Sequence, residues 1–114
     1  PYTLKLSRDR VTDENSEVRF LKPDHPVLNY PNKITAADFE NWVQERGLYF
    51  PNTWTNDFEA ILSMNDKGED PKEGSLLVAK YGNGYYVYTG LSFFRELPEG
   101  VAGAYKLFAN LVSL

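Results

Sequence analysis

The sequence predicts an α/β domain with a mixed or mainly antiparallel sheet, and three local patterns carry that expectation. Thr35 and Asp38 make a capping-box pattern between Ile34 and Phe39. Residues 75–91 alternate around Gly82-Asn83-Gly84, a hairpin signal. Val101, Ala104, Tyr105, Phe108, Leu111 and Val112 recur at spacings of three and four, as on one face of a helix. A chain of 114 residues that holds these patterns has room for one core, so it reads as one unit.

From the N-terminus, residues 2–6 and 17–21 read as short extended pieces. The polar stretch 7–16 separates them, and its run Thr12-Asp13-Glu14-Asn15 favours a turn. Residues 22–33 contain Pro23, Pro26 and Pro31, which fix φ and remove donors; an ordered loop anchored by Val27, Leu28 and Tyr30 is expected. The box at Thr35 opens a helix expected over 35–46. Phe39, Trp42 and Val43 recur along it at i, i+3 and i+4, and Gly47 supplies a left-handed residue beyond its end. After residues 48–55, Phe58, Ala60, Leu62 and Met64 alternate over one strand length, so a strand with one buried face is expected. Residues 65–73, with Gly68 and Pro71, form a loop. Strands over 75–81 and 85–91 then flank a turn in which Asn83 and Gly84 both take φ > 0, as type I′ geometry requires. The final helix, over 100–113, is expected to lay its apolar stripe on the sheet of that hairpin.

The composition removes several function classes. Twelve basic residues against 16 acidic give a net charge of -4, a field that repels phosphate backbones and argues against nucleic acid. No apolar run has the length of a membrane-spanning helix. Without cysteine there is no disulfide, no thiolate nucleophile and no Cys-ligated zinc. His25 is the single imidazole, and the setting Asp24-His25-Pro26 reads as a turn, since a zinc site would need carboxylates at spacings that match no common pattern. No serine sits in a Gly-x-Ser-x-Gly elbow. Asp13, Glu14, Asp66, Glu69, Asp70 and Glu73 read as hydrated loop carboxylates, and the 66–73 loop lacks the oxygen-ligand spacing of an EF-hand. Tyr81-Gly82-Asn83-Gly84-Tyr85 runs from strand to strand, whereas a phosphate loop runs into a helix N-terminus. No catalytic residue, metal ligand or cofactor is therefore expected in this chain; an enzyme using Asp13 and Glu14 is the least favoured reading.

Two sets of residues remain as candidates. Tyr49, Trp54, Tyr86 and Tyr88 offer aromatic faces of the kind that stack on sugars, although tyrosines at 81, 85, 86 and 88 also suit cross-strand packing. Glu45-Arg46 and Arg95-Glu96 sit among bulky apolar residues, and a partly buried bridge from Glu45 to Arg95, or from Arg46 to Glu96, is expected to fix the two segments together. Arg10 with Glu14 is a weaker pair of the same kind.

Four blocks carry a family resemblance: Asp24-His25-Pro26; Trp42-Val43-Gln44-Glu45-Arg46-Gly47-Leu48-Tyr49-Phe50; Tyr81-Gly82-Asn83-Gly84-Tyr85-Tyr86-Val87-Tyr88-Thr89-Gly90-Leu91; and Gly103-Ala104-Tyr105-Lys106-Leu107-Phe108-Ala109-Asn110-Leu111. Over about residues 8–114 they are similar to the C-terminal region of bacterial PIG-L (LmbE-like) deacetylases. The order of a His-Pro turn, an acidic and aromatic element, a strand, a Gly-x-Gly hairpin and a terminal helix also resembles the end of ThuA-like and other class I glutamine amidotransferase-like domains. The resemblance implies part of a flavodoxin-like fold, with a C-terminal antiparallel hairpin and two main helices. It further implies a parent protein whose N-terminal domain is a zinc-dependent deacetylase of N-acetylated sugars, in a bacterial periplasmic or secreted location. The family's His-Pro-Asp-Asp type zinc motif has no counterpart here, because Asp24-His25-Pro26 is followed by Val27, and the amidotransferase cysteine is likewise missing. No catalytic residue carries over, and zinc belongs to the other domain.

The sequence opens at Pro1 and closes at Leu114 inside an apolar helical pattern, so residues 1–114 are expected to be one accessory domain cut from the C-terminal part of a longer polypeptide. Its expected partners are the neighbouring catalytic domain, a sugar, or a second copy paired along an uncovered sheet edge.

Overall fold

The computed structural model describes residues 2–114. They form a mixed α/β, strand-rich fold of small antiparallel sheets with few helices. Seven strands come first: β1 (Leu4–Val11), β2 (Arg19–Phe20), β3 (Gly47–Trp54), β4 (Phe58–Ala60), β5 (Leu62–Ser63), β6 (Leu76–Tyr81) and β7 (Gly84–Thr89). Two helices follow, α1 (Phe93–Glu96) and α2 (Ala102–Val112). Short 3-10 turns occupy Pro26–Leu28 and Ala36–Phe39.

β6 is the central strand, paired with β4 on one side and β7 on the other. Its apolar run is covered on both faces, as a continuous hydrophobic strand requires. Leu76 and Val78 enter the main core with Phe50, Ile61, Ala104 and Leu107, whereas Leu77 and Ala79 enter a second cluster with Phe58. Leu4, Trp54 and Tyr88 pack against that second cluster. β1 and β3 form a two-stranded ribbon whose register shifts repeatedly. The ribbon joins the hairpin where the Leu48 N–H donates to the Gly90 carbonyl at 3.0 Å.

The 75–91 hairpin forms, with a different turn from the one expected. Tyr81 pairs with Gly84, so Gly82 and Asn83 make the two-residue loop. Gly82 has φ 58, while Asn83 and Gly84 are not left-handed. A positive φ at the first central residue belongs to the type II′ turn, which accepts glycine there and suits strand twist equally well.

The expected helix over 35–46 does not form, and long-range hydrogen bonds account for the difference. The N-terminal capping box forms, with the Thr35 N–H donating to Asp38 Oδ2 at 2.8 Å, and one 3-10 turn follows. A helix would then send the Val43 N–H to the Phe39 carbonyl. Here the Val43 N–H goes to Glu96 Oε1 at 2.7 Å, and the Phe39 carbonyl accepts from the Arg46 guanidinium. The Gln44 N–H goes to Glu14 Oε2, and the Asp38 carbonyl accepts from Trp42 Nε1 at 3.0 Å. Asn41 and Gln44 take left-handed φ values of 65 and 66, which complete the exit from the turn. Phe39 and Trp42 are still buried side by side, so the apolar spacing reported burial correctly and helicity wrongly.

Three further expectations are corrected. β1 runs on through residues 7–11, which the sequence assigned to the polar stretch between two extended pieces, and the turn falls at residues 14–15 within the expected 12–15 run. The alternating pattern of 58–64 breaks at Ile61: β4 pairs with β6 while β5 pairs with β2, so Phe58 and Leu62 serve different cores. Gly47 is not a left-handed helix end but the first residue of β3, where a Cβ would stand 2.3 Å from the Gly90 carbonyl oxygen. Among the described residues every ladder is antiparallel, and only α2 is longer than one turn or so.

α2 packs on both 3-10 turns and on α1. Its buried face is Gly103, Ala104, Leu107 and Asn110. Asn110 ties it to the proline-rich loop, donating from Nδ2 to the carbonyls of Val27 and Asn32, both at 2.8 Å, and accepting the Asn32 N–H at 3.0 Å. Tyr105, Phe108 and Val112, which the sequence placed in the core stripe, lie exposed.

Candidate functional site

Of the charged residues singled out in the sequence, the structure brings Glu45 and Arg95 together, with Arg95 Nε 2.7 Å from Glu45 Oε1. It does not pair Arg46 with Glu96. Arg46 is buried against the contacting rings of Phe39 and Trp42, with its guanidinium 5.8 and 6.0 Å from their centroids, and donates to the carbonyls of Phe39 and Ser16. Burial lowers its pKa, and Asp13, Glu96 and Glu14 oppose that shift; an arginine remains charged throughout.

Glu96 is fully buried in α1 and has two polar neighbours, the Val43 N–H and, at 3.0 Å, Ser92 Oγ. Burial raises its pKa against those hydrogen bonds and the field of Arg46. Ser92 Oγ also lies 2.8 Å from the Glu45 carbonyl. One hydroxyl proton serves one acceptor well, so a protonated Glu96 satisfies this arrangement best: Ser92 donates to the carbonyl and Glu96 donates to Ser92. Ser92, Ser16 and Asn110 were not singled out by sequence reasoning, since a single buried polar residue carries no pattern of its own. Ser92 and Glu96 bond the backbone of Val43, Glu45 and Arg46 and so hold residues 43–46 against α1, whereas Ser16 contributes its carbonyl to Arg46 and Asn110 ties α2 to the proline-rich loop.

The four aromatic candidates differ in exposure. Trp54 and Tyr88 are half-buried against the second cluster, and Tyr88 Oη donates to the Tyr49 carbonyl at 3.0 Å. Burial raises the Tyr88 pKa and keeps that donor in place. Tyr86 is 46% exposed and packs edge-on against Phe58 at 5.6 Å. Tyr49 is 59% exposed and takes φ 57 inside β3. It lines a cleft of about 400 Å³ with Arg8, Arg10 and Leu48.

His25 closes a turn, as its neighbours implied: Nδ1 accepts the Val27 N–H at 3.0 Å. Burial lowers its pKa, with Glu59 opposing and Lys22 adding to the shift, so the ring is neutral near pH 7. Asp66 is more than a hydrated carboxylate. It accepts from the N–H groups of Thr12 and Asp13 at 2.8–3.0 Å and from the Thr12 hydroxyl at 2.9 Å; burial pushes its pKa up, but these bonds hold it below the ordinary value. Arg10 and Glu14 are not paired: Glu14 accepts the Gln44 N–H instead. Among the described residues no three His, Asp or Glu side chains converge as a metal ion requires, so no step through zinc is derived for this chain. No helix among the described residues is long and apolar enough to cross a membrane. Compared with protein-family models, with curated proteins and with solved structures, the chain returns no match.

Proposed function

We propose that this chain is a non-catalytic accessory module that docks on the catalytic domain of a PIG-L (LmbE-like) carbohydrate deacetylase, as the C-terminal part of the same polypeptide. In this reading its sheet and α2 belong to an incomplete amidotransferase-like arrangement. The observation that carries it is the outer face of α2. Tyr105, Phe108 and Val112 stand three and four residues apart, exposed on one flank of the helix, and Val112 is 70% open. Large apolar groups gathered on one face are a common mark of a protein interface. The groups with the strongest chemistry, Arg46, Glu96 and Ser92, are meanwhile buried and bonded to backbone or to one another.

The reading is tested by calorimetric titration of the chain with the separately produced deacetylase domain. Binding that is lost in the Phe108→Glu, Val112→Glu double variant supports it. Binding indifferent to that variant, absence of binding, or sugar deacetylation by the chain alone overturns it. The second reading, a sugar-binding module on Tyr49, Trp54, Tyr86 and Tyr88, retains two well-exposed rings, Tyr49 and Tyr86.

A further inference from the structure

We propose that Arg8, Arg10 and Tyr49 form a binding cleft for a small ring-shaped ligand that carries an oxyanion, such as a sugar acid or a sugar phosphate. The inference does not rest on the docking reading. Its first support is charge. The chain has 16 acidic and 12 basic residues, yet no acidic side chain lines this cleft. Elsewhere Glu17 meets Arg19, Glu45 meets Arg95 and Asp38 meets Lys106. Among the described residues neither Arg8 nor Arg10 has a carboxylate in an ion pair. Arg10 does act on Asp66 through its field, but the oxygens of Asp66 are bonded to Thr12 and Asp13. Two guanidinium groups two residues apart on one strand repel each other, and an anion between them reverses the sign of that interaction.

The second support is backbone geometry, and it is independent of the first. Between the pairs Asp9 with Phe50 and Val11 with Gly47, two steps along β1 face three along β3, so β3 carries one extra residue. Tyr49 lies in that bulge in the left-handed region, which a bulky residue enters only under strain. The strain is not offset by burial, since the ring is 59% exposed beside the two arginines. Bulges of this kind re-aim a side chain, and strained residues gather at ligand sites.

The chemistry of the ligand follows from these groups. Planar guanidinium forks fit the oxygens of a carboxylate or phosphate, and the tyrosine face stacks on a sugar or other ring. At about 400 Å³ the cleft lies within the range of small-molecule sites. A neutral sugar leaves both cations without a partner.

The test is a two-dimensional amide NMR titration of the chain at low salt with glucuronate, glucose 6-phosphate, glucose, acetate and inorganic phosphate. Saturable shifts centred on residues 8–10 and 48–49 are expected with glucuronate, glucose 6-phosphate or both, and the one that binds identifies the source of the oxyanion. Acetate and phosphate are expected to bind about tenfold more weakly than the matching ring anion, and glucose not at all. Silence from both ring anions, glucose binding as well as they do, or free anions binding equally well overturns the proposal. In the Arg8→Gln, Arg10→Gln variant the shifts disappear while the spectrum stays that of the folded chain. Tyr49→Gly separates a ligand role from a structural one, because glycine enters the left-handed region freely. The expected result is an unchanged or higher Tm with affinity reduced about tenfold; a lower Tm with unchanged affinity removes Tyr49 from the site.

Discussion

The Oε1 of the Glu96 carboxyl accepts the backbone N–H of Val43 at 2.7 Å, a bond that spans 53 residues of sequence and occupies the donor a helix would have used. Burial raises the pKa of Glu96, so the folded state favours its protonated form relative to the unfolded chain. Stability contributed by this group is therefore full below the unfolded pKa and falls as pH rises towards the raised folded value. Glu96→Gln keeps an acceptor for Val43 and a donor for Ser92 and removes the charge. It is expected to leave stability at pH 7 unchanged or higher and to flatten the acid side of the pH profile. Glu96→Leu strands both partners and is expected to cost about 2 kcal/mol or more in urea unfolding.

Arg46 and Arg95 look alike in the sequence, each beside a glutamate, and are expected to behave differently. Arg95 is partly exposed and meets Glu45 at the surface, so Arg95→Ala is expected to cost about 1 kcal/mol or less. Arg46→Ala leaves two carbonyls without their donor and opens a space beside the Phe39–Trp42 pair; about 3 kcal/mol is expected. Thermal unfolding of both variants in one buffer measures the contrast.

What the sequence made visible was local. The hairpin and α2 were found because turn residues and apolar spacing lie within a few positions of each other. The candidate pair Glu45 and Arg95 was also found, from charges set among bulky apolar neighbours. The helix over 35–46 was misread because Glu14, Arg46 and Glu96 decide it from positions outside any local window. The run 7–11 looked polar because β1 is a ribbon edge with exposed side chains at Arg8 and Arg10, so its strand character rests on pairing with β3. Phe58 and Leu62 appeared to share a face because alternation cannot show that a strand changes partner at Ile61.

His25 gives the fold a second pH dependence, of opposite sense. Its folded pKa is lowered, so the unfolded chain takes up the proton first, and stability is full above the unfolded pKa and falls as pH drops towards the folded value. Protonation of Nδ1 also removes the acceptor for the Val27 N–H. His25→Asn keeps a capping acceptor and does not titrate. In melting curves from pH 7.5 to 5, roughly spanning the ordinary histidine range, the variant is expected to lose less stability than the parent.

Gly103 lies inside α2, where alanine normally favours a helix by about 1 kcal/mol. Here the expected sign is reversed. A Cβ at this position would stand 1.7 Å from the Asp38 carbonyl oxygen, a backbone atom that cannot turn aside. Gly103→Ala is expected to push α2 off the Ala36–Phe39 turn and lower the Tm by several degrees or more, at roughly 4–8 °C per kcal/mol for a domain near this size.

The two-sided burial of β6 has a consequence for how the molecule comes apart. Leu76 and Val78 answer to one cluster and Leu77 and Ala79 to the other, on alternate residues of one strand. Neither cluster can be lost while the strand keeps its place, so the chain has no smaller unit to shed first. Heat or denaturant should meet a single all-or-none transition, and the amides of β6 should be the last to exchange with solvent.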